Sequence, residues 1–221
     1  MNKKQSINRF LSENNPFAIR RKTKMRNALI NKTPSFLCPN CIGGILFHDL
    51  GLQFKSPTVN LMMSQTDFLK FVLHMEDYLS QELHFFEHAE YKFPCAHLED
   101  ITINFTHYQG EEEAARAWHD RSKRIDLNNM FVFLEERDGL TKENIMQLGA
   151  IHARGLVVFT AHAYPDIPYA LQIPKYEHDG EVGNILRKSY PDEHREYEEY
   201  FDFVKWFNEA DGDFDIHPFA K

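Results

Sequence analysis

Apolar positions along this chain alternate between stretches with strand-like spacing and stretches with helical spacing. Two continuous apolar runs, "MFVFLEE" from Met130 and "GLVVFTA" from Gly155, predict buried strands. Apolar residues three and four positions apart predict helices over residues 65–87, 111–125 and 141–149. Strict alternation in "DITINFTHY", residues 100–108, predicts a further strand.

Shorter elements complete this pattern. We expect a strand at residues 35–38, a helix or turn from Ile42 to Gly51, and an edge strand at residues 169–174. An amphipathic segment over residues 197–208 should dock through Phe201, Val204 and Phe207. Strands that alternate with helices predict an α/β fold with a mostly parallel sheet, helices on both faces and three layers in all.

The predicted organisation is a basic N-terminal helical arm over residues 1–32, one α/β domain over residues 33–210 and a tail over residues 211–221. Ligands of parallel sheets bind beyond the carboxyl ends of the strands. The candidate site loops are therefore residues 38–44, 106–110, 135–139 and 160–164.

Charge is unevenly distributed along the 221 residues. The formal net charge is −8, yet residues 1–32 hold nine Lys and Arg against Glu13 alone, a balance of +8 that leaves −16 for the rest. The basic segment fits a solvated helix or a contact with an anionic membrane surface. The acidic remainder would repel phosphates, so nucleic acid is not an expected partner.

Three cysteines without a paired framework suit a reducing compartment. The N-terminus has no continuous apolar stretch typical of a secretory signal, and no apolar run reaches the length of a membrane span. We therefore expect a cytoplasmic protein, with peripheral contact to the inner face of the membrane as an alternative.

The stretch "CPNCIGG", residues 38–44, carries the clearest candidate chemistry. Cys41 lies on a turn after a predicted strand and before Gly43 and Gly44. Glycines let backbone amides approach a ligand, and a helix that starts there adds positive potential. Both effects would lower the pKa of a thiol and stabilise an oxyanion.

A nucleophilic thiol needs a base, and His107 is the candidate because it follows the strand "DITINFTHY". Asp100 or Asn129 could orient its imidazole, which would give a Cys-His-Asp or Cys-His-Asn arrangement for acyl transfer. The alternative is that Cys41 is a small buried residue and His107 a hydrogen-bonded histidine of the core.

Other chemistry of Cys and His fits the spacing less well. Cys38 and Cys41 with Cys95 and His97 would form a zinc site only with an unusual second half. A redox dithiol would need a helix directly after the cysteines, where the glycine pair is unfavourable. The motif "HFFEH", residues 84–88, matches an inverted zinc-protease pattern on a helix, although packing is the simpler explanation. We therefore predict no metal site.

Three arginines offer contacts to an anion. Arg121 and Arg124 share a helix face with Trp118, and Arg137 precedes Asp138 at a strand end. The alternative for the first two is that they stabilise a helix C-terminus. A rigid turn supplies the hydroxyl groups of Ser56 and Thr58.

Taken together, several segments resemble a bacterial family of exopolysaccharide biosynthesis proteins, numbered 1919 among the domains of unknown function. The segments are "NCIGG", "LGLQFKSPTVNL", "DFLKFV", "LEDITINFTHY", "EEEAARAWHDRSKRI", "NMFVFLEERDG", "VVFTAHAYP" and "FVKWFN". The resemblance implies an α/β fold and a role in making or modifying capsule or exopolysaccharide. It also marks Asn40, Cys41 and His107 as motif positions, whereas Ile42 and Glu99 depart from the family pattern.

The Asn-Cys turn is also similar to one in another capsule-biosynthesis family thought to transfer acetyl groups from coenzyme A. Our leading hypothesis is therefore acyl transfer from a coenzyme A thioester to a glycan or lipid-linked sugar. One alternative is a glycosyltransferase that uses a nucleotide sugar, with Asp100 and Asp138 as its main residues. Another is a non-catalytic module that binds a glycan or lipid carrier, held at the membrane by the basic arm.

Overall fold

The computed structural model describes residues 15–221 and centres on a parallel sheet of four strands. The strands are β1 (Ser35–Leu37), β5 (Met130–Glu135), β6 (Gly155–Thr160) and β7 (Ala170–Gln172), in the spatial order β1-β5-β6-β7. All three neighbouring pairs are parallel. Every residue of β5 and β6 is buried, as their continuous apolar runs predict.

Helices flank this sheet, which confirms the three-layer α/β prediction. On one face, helices α2 (Ile42–Leu50) and α8 (Phe203–Glu209) pack their aromatic rings against the strands. Phe131 of β5 contacts Trp206 and Phe207 at ring-centroid distances of 4.9 and 5.0 Å. The predicted helix from Ile42 is confirmed, and it ends at Gly51 in the left-handed conformation that favours glycine.

A second, antiparallel sheet lies beside the first. It contains β2 (His84–Phe86), β3 (Cys95–Leu98) and β4 (Ile101–Asn104), in that order. The prediction that "DITINFTHY" belongs to the parallel sheet is therefore wrong. Its alternating pattern is typical of an antiparallel strand with one face in the core, and Ile101 and Ile103 are indeed fully buried.

The long helix predicted over residues 65–87 is shorter than expected. Helix α3 (Gln65–Leu73) is capped by Ser64, α4 (Met75–Leu79) follows after a break at His74, and the chain then enters β2. The motif "HFFEH" starts on this strand, so its two histidines cannot share a helix face.

The other predicted elements are present with shorter bounds. They include three helices, α5 (Glu111–Ser122), α6 (Lys142–Gln147) and α7 (Tyr197–Tyr200). Short 3-10 turns lie at Leu127–Asn129, Leu148–Ala150 and Pro174–Tyr176. A reciprocal capping box between Thr141 and Asn144 starts α6. The C-terminal segment packs through Phe201 and Phe207 as predicted, and its later residues Ile216 and Phe219 are also buried.

The basic helix α1 (Pro16–Ala28) is fastened to the domain by ion pairs. Arg21 lies 2.6 Å from Asp49 and 2.7 Å from Glu198, and Lys22 lies 2.8 Å from Asp49. Helix α1, which is part of the predicted basic arm, is therefore held against the domain by ion pairs with acidic side chains. The basic residues Lys3, Lys4 and Arg9 lie outside the described residues.

Candidate active site

The side chains of Cys41 and His107 meet at the carboxyl end of the parallel sheet. Cys41 Sγ lies 3.3 Å from His107 Nε2, within reach of proton transfer. Cys41 follows β1 and occupies the N-cap position of α2, whereas His107 follows β4 of the other sheet. The two predicted residues are thus brought together from different sheets.

A short segment between the two sheets explains this meeting. The Met63 amide donates to the Pro39 carbonyl at 2.9 Å, next to the turn that carries Cys41. Met62 and Asn104 exchange backbone hydrogen bonds of 2.8 and 2.9 Å at the end of β4. Residues 62–63 therefore tie the two site loops together through their backbones.

A pocket of about 730 Å³ opens around the pair. Its volume lies in the range that small-molecule ligands occupy. The lining combines a few apolar side chains with many amide, hydroxyl and charged groups; it comprises Asn40, Cys41, Met62, Met63, Ser64, Gln65, Asn104, Thr106, His107, Glu135, Arg137, Asp138, Gly183, Asn184, Ile185 and Leu186.

Glu135 is the most strongly perturbed group of this pocket. Its side chain is 1% exposed at the carboxyl end of β5. Asn40 Nδ2 donates to its Oε2 at 2.5 Å and Gln65 Nε2 at 3.3 Å. Burial raises the pKa of Glu135 to about 7, despite the opposing effects of Arg137 and these amides. A carboxyl group that titrates near neutral pH in a pocket is typical of a functional site.

Sequence reasoning did not single out Glu135, although it included residue 135 in a candidate loop. The available signal was an acid that closes an otherwise apolar run, "MFVFLEE". Thr106, Gln65 and Asn184 were also missed as site residues, because only the fold brings them to the pocket.

The prediction of a lowered thiol pKa at Cys41 is not supported. Burial raises the pKa of the Cys41 thiol. Burial also raises the pKa of Cys38, to about 12. The Gly43 amide donates to Cys38 Sγ at 3.1 Å and the Ile42 amide to Asn40 Oδ1 at 3.0 Å. These amides therefore shape the turn and do not stabilise a thiolate at Cys41.

The glycine pair is required for packing. A Cβ on Gly43 would lie 2.8 Å from Cys38 Sγ, and one on Gly44 would lie 2.3 Å from Asn60 Oδ1. Both glycines are buried and lie outside the pocket lining. The predicted oxyanion site at these amides is therefore wrong.

Neither predicted orienting residue reaches His107. Asp100 precedes β4, at the opposite end from His107, and accepts hydrogen bonds from Lys70 Nζ and Tyr78 Oη at 2.6 Å each. Asn129 precedes β5, at the amino end of the parallel strands and so at the opposite end from Cys41. Its side chain forms hydrogen bonds with Asn31. Both residues have structural contacts of their own.

The hydroxyl pair of Ser56 and Thr58 supports the end of β1. Both side chains are fully buried, and their oxygens lie 2.9 Å apart. Thr58 Oγ1 accepts a hydrogen bond from the Cys38 amide at 3.2 Å. The hydroxyls thus hold the chain that leads into the Cys41 turn, and they do not contact the pocket.

The predicted anion clamp on α5 is also structural. Arg121 donates to the Val59 carbonyl at 2.9 Å and to Tyr108 Oη, and so braces the loop that carries His107. Trp118 is buried in the core, and Arg124 points its guanidinium at the Phe54 carbonyl, 3.4 Å away. None of the three lines the pocket.

Three of the predicted substrate contacts do line the pocket, namely Asn40, Arg137 and Asp138. Arg137 and Asp138 are both partly exposed, and Arg137 Nε lies 3.6 Å from Asp138 Oδ1. Asp138 has φ of 52°, a left-handed conformation that turns the chain away sharply after β5. Arg137 is the one cationic Lys or Arg side chain among the lining residues of the described chain.

The fourth predicted loop, residues 160–164, forms a separate cluster. Glu136 Oε1 faces His162 Nδ1 at 2.9 Å and accepts a hydrogen bond from Tyr164 Oη. Its Oε2 accepts from the amides of Ala161 and His162 at 2.7 and 3.1 Å. This cluster closes the ends of β5 and β6 and does not line the pocket.

Three further features of the described chain are relevant to its function. Within residues 15–221, no group of three or more His, Cys, Asp and Glu side chains is placed to hold a metal ion. A larger cleft of about 940 Å³ lies between α1 and the C-terminal segment, but its lining includes neither Cys41 nor His107. We find no helix in the described chain that is long and apolar enough to span a membrane.

The family model described as Domain of unknown function (DUF1919) matches residues 12–208. The chain belongs to this family. The DUF1919 match includes helix α1, both sheets, Cys41, His107 and the whole pocket lining. An uncharacterized protein of Haemophilus influenzae is 35% identical over 210 residues, which cover 95% of this chain and 100% of that relative.

Proposed function

We propose that this protein is an acyltransferase of exopolysaccharide or capsule biosynthesis, with Cys41 as nucleophile and His107 as general base. The observation that carries the proposal is the 3.3 Å contact between Cys41 Sγ and His107 Nε2 at the mouth of a ligand-sized pocket. A thiol within reach of an imidazole is the minimal arrangement for transfer of an acyl group through a thioester.

The raised pKa of Cys41 favours one order of events. The partly buried thiol of Cys41 has a raised pKa and keeps its proton at neutral pH, so the proton must leave as the sulfur attacks. His107 Nε2 takes this proton while Cys41 Sγ bonds to the carbonyl carbon of the donor thioester. The bond to the donor sulfur then breaks, and that sulfur leaves with the proton from His107.

The second half of the reaction uses the same groups. A sugar hydroxyl attacks the acyl group on Cys41 while His107 accepts the hydroxyl proton. The bond between the acyl carbon and Cys41 Sγ breaks, and His107 returns the proton to the sulfur. The products are an acylated sugar and the free Cys41 thiol.

The pocket lining supports a sugar acceptor. Amide groups of Asn40, Asn104 and Asn184, with the carboxyl of Asp138, are groups that hydrogen-bond hydroxyls in fixed directions. A coenzyme A donor carries phosphates, for which Arg137 is the available cation in the lining. The long pantetheine arm of such a donor would let its phosphates bind outside the pocket.

Ligand binding tests this proposal against its main alternative. In thermal-shift measurements we expect coenzyme A to raise the Tm and to protect Cys41 from iodoacetamide. Stabilisation by UDP-sugars with Mn²⁺ but not by coenzyme A would contradict the proposal and favour a glycosyltransferase. Binding of a glycan without turnover of any donor, unchanged by Cys41→Ala, would favour a non-catalytic module.

For location, we propose a cytosolic protein whose α1 helix touches an anionic membrane. Phe17 and Ile19 are 57% and 50% exposed on α1, and the neighbouring Arg20 and Lys24 are exposed without ion-pair partners among the described residues. Apolar and basic groups on one helix suit anionic headgroups. Sedimentation with phosphatidylglycerol vesicles should weaken in Arg20→Ala/Lys24→Ala; equal binding to neutral phosphatidylcholine vesicles would contradict this proposal.

A further inference from the structure

The pocket holds a hydroxyl group without a partner. Thr106 Oγ1 is the one buried side-chain nitrogen or oxygen atom of the described residues that lacks a hydrogen bond. Buried polar groups are nearly always hydrogen-bonded, so this unpaired hydroxyl calls for an explanation. Thr106 lines the pocket and directly precedes His107. A ligand that reaches Oγ1 from the pocket would satisfy this hydroxyl.

Glu135 presents a second donor in the same pocket. Asn40 and Gln65 both donate to its Oε2, so a proton on the neutral carboxyl belongs on Oε1. The ionisable groups around it are Arg137 and Asp138 beyond its own strand, Cys38 and Cys41 after β1, and His107 across the pocket. Gln65, at the start of α3, is neutral.

The attack of Cys41 on a carbonyl group creates a negative oxygen that needs hydrogen-bond donors. The nearest backbone amides after Cys41 are already engaged, since Ile42 donates to Asn40 Oδ1 and Gly43 to Cys38 Sγ. These two amides are therefore not free to bind the oxyanion, and side chains that carry a proton can provide the stabilisation instead.

We propose that the Thr106 hydroxyl and the protonated Glu135 carboxyl donate hydrogen bonds to the oxyanion that forms when Cys41 attacks an acyl donor. This inference rests on the proposed function. As the carbon–sulfur bond forms, the carbonyl electron pair moves onto oxygen, where Thr106 Oγ1–H and Glu135 Oε1–H hold it. When the intermediate collapses, the pair returns and the leaving group departs. A carboxylic acid kept neutral by burial can act in this way.

The burial of Glu135 supports its part in this step. Because its pKa is raised to about 7, a large share of the carboxyl groups still carries a proton at neutral pH. An exposed glutamate would be ionised and could only accept hydrogen bonds. The acid form is lost as the pH rises above about 7, which makes the role testable.

Two reagents separate oxyanion stabilisation from thiol reactivity. p-Nitrophenyl acetate acylates a thiol through an oxyanion, whereas iodoacetamide alkylates the same thiol by displacement of iodide, with no oxyanion. Their ratio of rates at Cys41 therefore cancels changes in the thiol and in His107. We expect Thr106→Val to lower this ratio by about a hundredfold, the scale for loss of one such donor, and Thr106→Ser to restore it.

Because the buried Thr106 hydroxyl has no partner, Thr106→Val loses no hydrogen bond and should fold with a Tm no lower than that of the wild type. An unchanged ratio in the folded Thr106→Val variant would overturn the role of Thr106. A Cys41 that reacts with neither reagent would overturn the proposed function instead, so the two failures are distinguishable.

The pH dependence tests Glu135 separately. In the wild type the ratio should fall as the pH rises through about 7, because the donor proton is lost. In Glu135→Gln the amide oxygen can accept from Asn40 and Gln65 while the NH₂ replaces the acid proton, so the ratio should stay flat with pH. A flat ratio in the wild type, or the same decline in Glu135→Gln, would overturn the role of Glu135.

Discussion

The buried carboxyl of Glu135 should make the stability of this protein depend on pH in a specific direction. Its pKa rises from 4.5 in an unfolded chain to about 7 in the folded one. Between these values the folded chain keeps a proton that the unfolded chain releases. The free energy of unfolding of the wild type therefore falls as the pH rises from about 4.5 to 7.

The magnitude follows from the size of this pKa difference. A shift from 4.5 to about 7 corresponds to about 3 kcal/mol of unfolding free energy. Glu135→Gln removes this penalty and can keep the hydrogen bonds from Asn40 and Gln65 through its amide oxygen. We expect the variant to match the wild type near pH 4 and to exceed its stability by about 3 kcal/mol near pH 8.

Thermal unfolding at a series of pH values measures this difference. In a chain of this size 1 kcal/mol corresponds to about 2–4 °C, so the Tm gap near pH 8 should be roughly 6 to 12 °C. Glu181→Gln, at an exposed glutamate, is the control and should follow the wild type throughout. Parallel curves for the wild type and Glu135→Gln across this range would show that Glu135 does not have a raised pKa in the folded chain.

Three further predictions concern the thiol, the docked helix and the core. Iodoacetamide should modify Cys41 ahead of the two buried cysteines, and His107→Ala should slow this reaction; equal rates at all three cysteines would contradict the assignment. Asp49→Asn removes the carboxylate that pairs with Lys22 and Arg21, although Arg21 keeps Glu198, and should lower the urea-unfolding free energy by about 2 kcal/mol; an unchanged midpoint would show that these ion pairs contribute little. Gly155→Ala would place a Cβ 2.7 Å from two aromatic rings and should lower the free energy of unfolding by about 1–3 kcal/mol. Gly110→Ala meets no atom within 4 Å and should cost less, about 0.5 kcal/mol for a less favourable N-cap of α5; equal losses of Tm in the two variants would argue against this packing.

The central sheet could be predicted from the sequence because its strands carry a local signal. Continuous apolar runs from Met130 and Gly155 indicated buried parallel strands, and both are buried at every position. The alternating run from Asp100 carried an equally clear signal for an antiparallel, half-exposed strand. That difference in pattern was the information that could have separated the two sheets.

Helix length in the middle of the chain was harder to predict. Phe85 and Phe86 continue the apolar spacing of the preceding helix, and a short apolar run does not distinguish helix from strand. Their strand conformation depends on pairing with Ala96 and Cys95, on the next strand along the chain. Pairing across the intervening loop leaves no mark on the segment itself.

The candidate site likewise contains residues that have a local sequence signal and residues that do not. Cys41 and His107 could be proposed from turn chemistry and residue type, although His107 arrives from another sheet through the Met62–Asn104 bridge. Thr106 and Glu135 could not be assigned roles, because an unpaired hydroxyl and a raised pKa exist only once the surrounding chain is packed. Arg121 was misassigned because its carbonyl and ring partners are remote in sequence.

The central claim is that Cys41 carries an acyl group during the reaction. The most direct measurement is peptide mass spectrometry after incubation with acetyl-coenzyme A and a rapid acid quench. We expect an acetyl group on Cys41 and on neither Cys38 nor Cys95, slower labelling in His107→Ala and none at this position in Cys41→Ala. Absence of acetyl on Cys41 in folded protein that binds coenzyme A, or undiminished labelling in His107→Ala, would contradict it.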